Sequence, residues 1–471
     1  VRTHHPDDFA LLRYTAGDLD ESEHGNIVRH LDQCDTCLMT LAEIRPLDAA
    51  LRRIGAARAS AKDIDAEVEF APDDPFRERP ARSAAAAPVT RELVESALSH
   101  AERADAEVAG LLAALAESPE ATSTYLSRLS FADPAARYLV LYALEEAVSR
   151  ITVDGPARYL RFAEEVLGRL ERESADAGQA EAMVRLGAIT AQAHVLAGQA
   201  CNWTGELEKA RGHLQEAYRT FAGAGEADEI RLALTEYHES QRRSFAGRSA
   251  EGVALARRAR ATFETFGLED YVARARVAEG IALSALDRDA EALVCYRAAV
   301  PVFERQSLLR NYVSAVNGLG ASLARLGRLD EARREYSRAL RRLSREQHPT
   351  LLAFTRNGLA HVLFFSRGYA DAAKSFLQAA RLFDQLDLVG DALTASLWEI
   401  ESWARSGDMA RARHRLQLFR TVVGRLGTLD PFIVGQLEQS LSGRDPDFER
   451  LGQIRRQAQE TIREKLRVEA G

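Results

Sequence analysis

Apolar residues recur along most of the chain at spacings of three and four, and the alternation typical of strands is nearly absent. Segments such as Phe131–Ala147 and Tyr159–Leu170 carry this spacing. The pattern predicts an all-α fold. From about residue 185 it becomes periodic. A small residue, an aromatic or leucine four further on (alanine in one rung), and another residue three beyond that form a ladder. Its rungs are Ala210/Leu214/Ala217, Gly252/Ala256/Ala259, Ala292/Tyr296/Ala299, Ala332/Tyr336/Ala339, Ala372/Phe376/Ala379 and Ala412/Leu416/Phe419. The first spacing is 42 residues and the next four are 40 each. Twelve residues before four of the rungs stands another small residue: Gly198, Gly280, Gly320 and Ala360. Short turns lie between, as in Leu326-Gly-Arg-Leu-Asp330 and Ser366-Arg-Gly-Tyr369.

Such a period describes two antiparallel helices per repeat. Small residues let the two helices approach closely, and the aromatic or leucine fills the gap to the next repeat. One pair cannot bury its apolar face alone, so stability comes from stacking. Across residues 185–430 the rungs resemble the tetratricopeptide repeat. The usual period there is about 34 residues, so a period of 40 implies helices longer by one to two turns. The resemblance implies a concave face, lined by the first helix of each pair, that holds an extended peptide or a second protein. Asn317 and Asn357 occupy the same place in consecutive repeats, and an amide offers both a donor and an acceptor to a peptide unit. His361, Arg325, Tyr237 and Gln241 fall on the same predicted face. Residues 90–184 read as a helical cap or degenerate repeats, and residues 431–471 as capping helices at the other end.

Pro72, Pro75, Pro80 and Pro88 account for four of the 13 prolines. They mark residues 58–89 as an extended Pro/Ala-rich linker. Before it, residues 1–57 carry the sharpest chemical signal, His30-Leu-Asp-Gln-Cys34-Asp-Thr-Cys37. His30 and Cys34 share a helix face, and Cys34 and Cys37 can converge around a turn. Imidazole and thiolate suit Zn²⁺, whose structural sites take four ligands. Upstream, His4, His5 and His24 are the nearby candidates for the fourth.

The His-x3-Cys-x2-Cys spacing resembles the zinc-binding anti-sigma domain of bacteria. Phe9-Ala-Leu-Leu-Arg-Tyr14 would form its first helix, and Asp20 with Glu23 a capping box opening the helix that carries His30. The resemblance implies one Zn²⁺, structural or redox-linked, held by His5, His30, Cys34 and Cys37, with His4 as the alternative to His5. It also implies an extracytoplasmic-function sigma factor as partner. Residues 1–57 hold ten acidic and six basic residues, which complements the basic surface of a DNA-binding factor.

Composition narrows the remaining classes. The 471 residues are 46% hydrophobic, ample for a core, with a net charge of −8 that argues against direct nucleic-acid binding. The four cysteines are too few for a disulfide scaffold. Neither a membrane-length apolar run nor the apolar core of a secretion signal is present. Cys201 and Cys295 are isolated and read as small core residues. Phosphate-loop, nucleophile-elbow and His-Glu-x-x-His motifs are absent, so no enzyme is expected. The sequence reads as a cytoplasmic regulator that inhibits a sigma factor through its zinc domain, with a repeat solenoid as sensor or docking module. The alternative is a repeat adaptor or scaffold in which the zinc domain only docks or caps.

Overall fold

The structure is a computed structural model that describes residues 70–71, 73–77, 108–131, 133–150, 156–176, 179–223, 229–344, 348–442 and 447–469. His4, His5, His30, Cys34 and Cys37 lie outside the described residues. Among the described residues the chain is a solenoid of eighteen helices without strands. It divides into two compact units, 1–282 and 283–471.

The first unit holds α1 (108–117), α2 (Pro119–Ser127), α3 (Pro134–Arg150), α4 (Pro156–Asp176), α5 (Gln179–Thr204), α6 (Leu207–Gly223), α7 (Glu229–Phe245), α8 (Ser249–Thr265) and most of α9 (Glu269–Ala285). The second holds α10 (Asp289–Arg305), α11 (Leu309–Arg325), α12 (Leu329–Leu340), α13 (Pro349–Phe365), α14 (Tyr369–Gln385), α15 (Val389–Arg405), α16 (Met409–Leu426), α17 (Pro431–Ser442) and α18 (Phe448–Glu469). Prolines open α2, α3, α4, α13 and α17, where a missing N–H costs nothing and the fixed φ suits the first turn. At α2 the Ser118 hydroxyl also accepts the Ala121 N–H at 3.0 Å, a side-chain cap on one orphan donor.

The repeat has a finer period than the ladder implied. From α7 to α16 a helix begins every 20 residues, at Glu229, Ser249, Glu269, Asp289, Leu309, Leu329, Pro349, Tyr369, Val389 and Met409. Most of these helices run 17 residues, followed by a three-residue turn whose second residue has a left-handed backbone. Gly247, Gly267, Gly327, Gly407 and Gly427 take that conformation with φ between 63° and 88°. Asp287, Ser307, Arg367 and Asp387 take it with φ from 57° to 63°. At every one of these positions but Gly427, the following residue closes the turn by donating its N–H to a carbonyl five residues back, as from Arg328 to Leu323 and from Gly368 to Leu363, both at 2.9 Å. This is the six-to-one bond that satisfies an orphan carbonyl at a helix end.

A side chain in the left-handed region costs about 1–2 kcal/mol where glycine pays little. Ser307→Gly and Arg367→Gly should therefore each stabilise the second unit, by about 0.5–1 kcal/mol after the added freedom of the unfolded chain is subtracted. Thermal melts of the two variants against the parent, expected to move upward, test this.

The ladder contacts are those of the expected helix crossings. In the first unit a Cβ added at Gly198 would lie 2.7 Å from Leu214 Cγ. In the second, a Cβ at Gly320 would lie 2.6 Å from the Tyr336 ring, and one at Gly358, in the next repeat, 2.5 Å from the same ring. Tyr336 is thus a wedge between two glycines. Near the carboxyl end, α15 to α18 share one core that includes Trp403, Phe419, Val434, Leu437, Ile454 and Ile462. In that core α18 folds back onto α15. No helix among the described residues is long and apolar enough to cross a membrane.

Candidate functional site

Helix α7 departs from the usual one-sided pattern: it is buried on nearly all sides and carries charge into the interior. Glu236, Glu239 and Arg243 lie at spacings of three and four, on one face, and all three are fully buried with Arg242 beside them. Glu239 accepts from Arg242 Nε at 2.7 Å and from Arg243 Nε at 2.7 Å. Arg243 also pairs with Glu251 on α8, and Glu251 in turn meets Arg248 at 2.7 Å. On α8, Arg258 Nε lies 2.9 Å from Glu236, to which the Tyr218 hydroxyl of α6 donates at 3.4 Å. Burial works against the Arg243 charge, but Glu239 and Asp74 outweigh it and raise its pKa.

Asp74 comes from the span read as a proline-rich linker. Two successive turns form here, with the Asp74 N–H donating to the Ala71 carbonyl and the Arg77 N–H to the Asp74 carbonyl, each at 3.0 Å. The Asp74 carboxylate also accepts the Phe76 N–H at 3.0 Å. Held this way, the segment presents one carboxylate and one ring to the helices. Asp74 Oδ2 meets Arg243 at 2.7 Å. Phe76 is completely buried, its ring 4.4 Å from that of Tyr218. Its carbonyl accepts from Arg258 at 2.7 Å, and the Arg243 guanidinium lies over both Phe70, at 5.0 Å, and Phe76, at 5.7 Å. Burying one such ring contributes about 1.5–3 kcal/mol. The sequence did carry a signal for this, since two phenylalanines are out of place in a solvated tether.

The predicted groove residues divide between the two units. Tyr237 and Gln241 belong to the first unit, on α7, where the Gln241 amide donates to the Tyr237 hydroxyl at 3.1 Å. The other four belong to the second. Arg325, at the end of α11, is engaged with Asp289 at the start of α10 through two bonds of 2.6 and 2.7 Å. It clamps one helix to the next. Asn317 on α11 and Asn357 on α13 hold corresponding half-buried positions, and the amide oxygen of each is buried without a partner. The backbone carbonyl of Asn317 accepts from the Tyr336 hydroxyl at 3.2 Å.

His361, one turn beyond Asn357, stands edge-on to Phe376 at 4.9 Å and to Trp398 at 4.7 Å. Trp398 is covered from the other side by Arg455 of α18, which pairs with Glu401 at 2.5 Å. Burial pushes His361 down to about 4, and the Arg455 charge adds to the shift. The unfolded chain accepts that proton near pH 6.5. Stability from this group is therefore full above about pH 6.5 and is lost as the pH falls toward 4, by up to about 1.4 kcal/mol per pH unit. Melting temperatures from pH 7.5 to 4.5 should fall less steeply for His361→Phe than for the parent.

Other groups have plainer roles. Cys201 is buried, its thiol pushed up to about 11 by burial, and Cys295 is half-buried. Among the described residues no cluster of three or more His, Cys, Asp and Glu is arranged to hold a metal. A cavity of about 200 Å³ between α14, α15 and α16 is lined by Ala380, Leu393, Ser396, Glu399, Arg415 and Phe419. That is smaller than the roughly 300 Å³ at which small-molecule pockets begin.

With this geometry in place, comparison with known proteins bears on the repeats. A tetratricopeptide repeat family model matches residues 312–385, from α11 to the end of α14. The chain contains a tetratricopeptide repeat region. No curated protein matches it. Among solved structures it is similar to a Rap protein complexed with Competence and Sporulation Factor, at 12% identity over 79% of this chain and 100% of that one, with a TM-score of 0.49. It is also similar to the apo quorum sensor NprR of B. thuringiensis, at 15% identity over 62% and 83% of the two chains, TM-score 0.46. A third is a signal-transduction ATPase with a tetratricopeptide repeat sensor from Pyrococcus horikoshii, at 14% identity over 72% and 55%, TM-score 0.48. The likeness is one of helical-repeat architecture.

Proposed function

We propose that this chain is a regulatory docking protein rather than an enzyme, acting in the cytoplasm. Its solenoid holds peptide-like segments, and its amino-terminal His-x3-Cys-x2-Cys unit binds a sigma factor. The observation that carries the docking reading is the capture of residues 70–77 by α6, α7 and α8 through one buried ring, one buried carboxylate and one carbonyl. Helices that hold one turn-forming segment in this way have the means to hold a partner. In the second unit, Asn317 and Asn357 are the candidate contacts, since each keeps an amide oxygen without a partner. Arg325, already paired with Asp289, and His361, packed against aromatic rings, shape that surface; in the first unit, Tyr237 and Gln241 on α7 are separate candidate contacts.

The sigma-factor reading rests on the spacing of His30, Cys34 and Cys37, with His5 or His4 completing a four-ligand Zn²⁺ site. Titrating the zinc-loaded full chain with extracytoplasmic-function sigma factors of the same organism tests it directly. Binding that is lost in Cys34→Ala supports it. No binding at micromolar concentrations would sink the sigma-factor reading and leave the scaffold. In parallel, His30→Ala and Cys34→Ala should each lower bound zinc from one per chain to near zero. An unchanged ratio would show that the ligand set is wrong.

A further inference from the structure

The segment 70–77 fills its pocket as a ligand would, and it supplies one of the three carboxylates that hold Arg243. Within the cluster, Arg242, Arg243, Arg248 and Arg258 face Glu236, Glu239, Glu251 and Asp74. The fourth carboxylate is the segment's own. Removing the segment takes from Arg243 one of its three carboxylates and uncovers the Tyr218 ring on which Phe76 rests. One compact turn contributes the Asp74 carboxylate, the Phe76 ring two residues later, and the Phe76 carbonyl, and Phe70 adds a ring under Arg243. The other half of the site is supplied by α6, α7 and α8 alone.

We propose that the pocket walled by Tyr218, Glu236, Arg243 and Arg258 is an exchangeable recognition site for acidic-aromatic turn peptides of the Asp-Pro-Phe type, which this chain's residues 70–77 occupy in cis. The inference deepens the docking reading of the solenoid and rests on it. A partner carrying a carboxylate two residues before an aromatic side chain competes for the same contacts. Because the resident segment is tethered, it acts at an effective concentration on the order of millimolar. A free peptide of equal intrinsic affinity therefore binds poorly until the segment is detached. Displacement by a partner of higher affinity would free the tether that joins residues 1–69 to the solenoid, so occupancy of the pocket would be coupled to the disposition of the amino-terminal module.

The test uses the full chain and a fluorescein-labelled synthetic peptide of residues 68–79, read by anisotropy. Wild-type chain should bind it at least ten-fold more weakly than Asp74→Ala/Phe76→Ala chain, in which the resident segment has lost its grip. A second form guards against a folding defect: wild-type chain with a protease site inserted between Arg79 and Pro80, measured before and after cutting. Cutting should open the site to the labelled peptide, with the helical circular-dichroism signal unchanged. A competitor peptide with Asp74→Asn and Phe76→Ala should displace the probe at least ten-fold less well than the natural sequence. If neither the double variant nor the cut chain binds the probe while remaining helical, or if both bind a scrambled peptide equally, the proposal is wrong. A partner whose binding to the same preparations depends on Asn317 and Asn357 would leave the broader docking reading of the solenoid intact and confine the failure to this pocket.

Discussion

Replacing Glu239 by alanine should lower the stability of the first unit by about 3–5 kcal/mol, the cost of removing one partner from a buried ion pair. Glu239 is completely buried and receives both Arg242 and Arg243, whose side chains are themselves only 3% and 1% exposed. Taking it away leaves Arg242 without its carboxylate, and Arg243 with only Asp74 and Glu251. Neither guanidinium can release its proton, and neither can reach water without opening the helix packing. Asp74→Ala removes a carboxylate from the same network but leaves Arg243 the other two, so its cost should be about 1–2 kcal/mol. Hydrogen-exchange protection of α7 and α8 measures both. A smaller loss for Glu239→Ala than for Asp74→Ala would mean that the network is held from the segment rather than from the helix.

The second large effect is expected at Tyr336. Truncation to alanine removes a buried ring from between two repeats and should cost about 3–5 kcal/mol through lost burial and the cavity left behind. Gly358→Ala perturbs the same place in the opposite sense. Its new methyl would press on a ring already backed by Gly320, an overpacking cost of about 1–3 kcal/mol. Because the two changes act on one volume, they should not add. In the Tyr336→Ala background the Gly358→Ala substitution becomes nearly free, so a double-mutant cycle should return a coupling of at least 1 kcal/mol. Denaturant unfolding of the four proteins, followed by tryptophan fluorescence from Trp398 and Trp403, supplies the cycle. Additive costs would show that the ring does not bridge the two glycines.

These two sites mark the limits of what the sequence discloses. The Tyr336 wedge was readable because small and bulky residues recur 40 apart, and a contact made by every repeat leaves a periodic trace. The 20-residue half-period was harder to read. Its glycines at 247, 267, 327, 407 and 427 are interrupted by Asp287, Ser307, Arg367 and Asp387, so glycine alone does not trace the series. The α7 network was hidden for a different reason. Glu-Ser-Gln-Arg-Arg looks like a solvated helix end, and only contacts with α8 and with a segment 169 residues away show that it is interior. Burial of charge by distant chain leaves no local pattern. In the same way, the partners of Arg325 and His361, Asp289 and Trp398, come from neighbouring helices that the period does not identify.

The even helix spacing also limits how the repeat region of the second unit can change in length. One residue added inside a helix turns everything after it by about 100° and advances it by about 1.5 Å, which would carry a glycine such as Gly358 away from the ring it receives. Insertions and deletions are therefore tolerable in the turns or as whole 40-residue blocks, which return each small residue to its bulky counterpart. A chain in which Asp289–Arg328 is duplicated should fold as a longer member of the same series, whereas one carrying a single extra alanine in the middle of α13 should not.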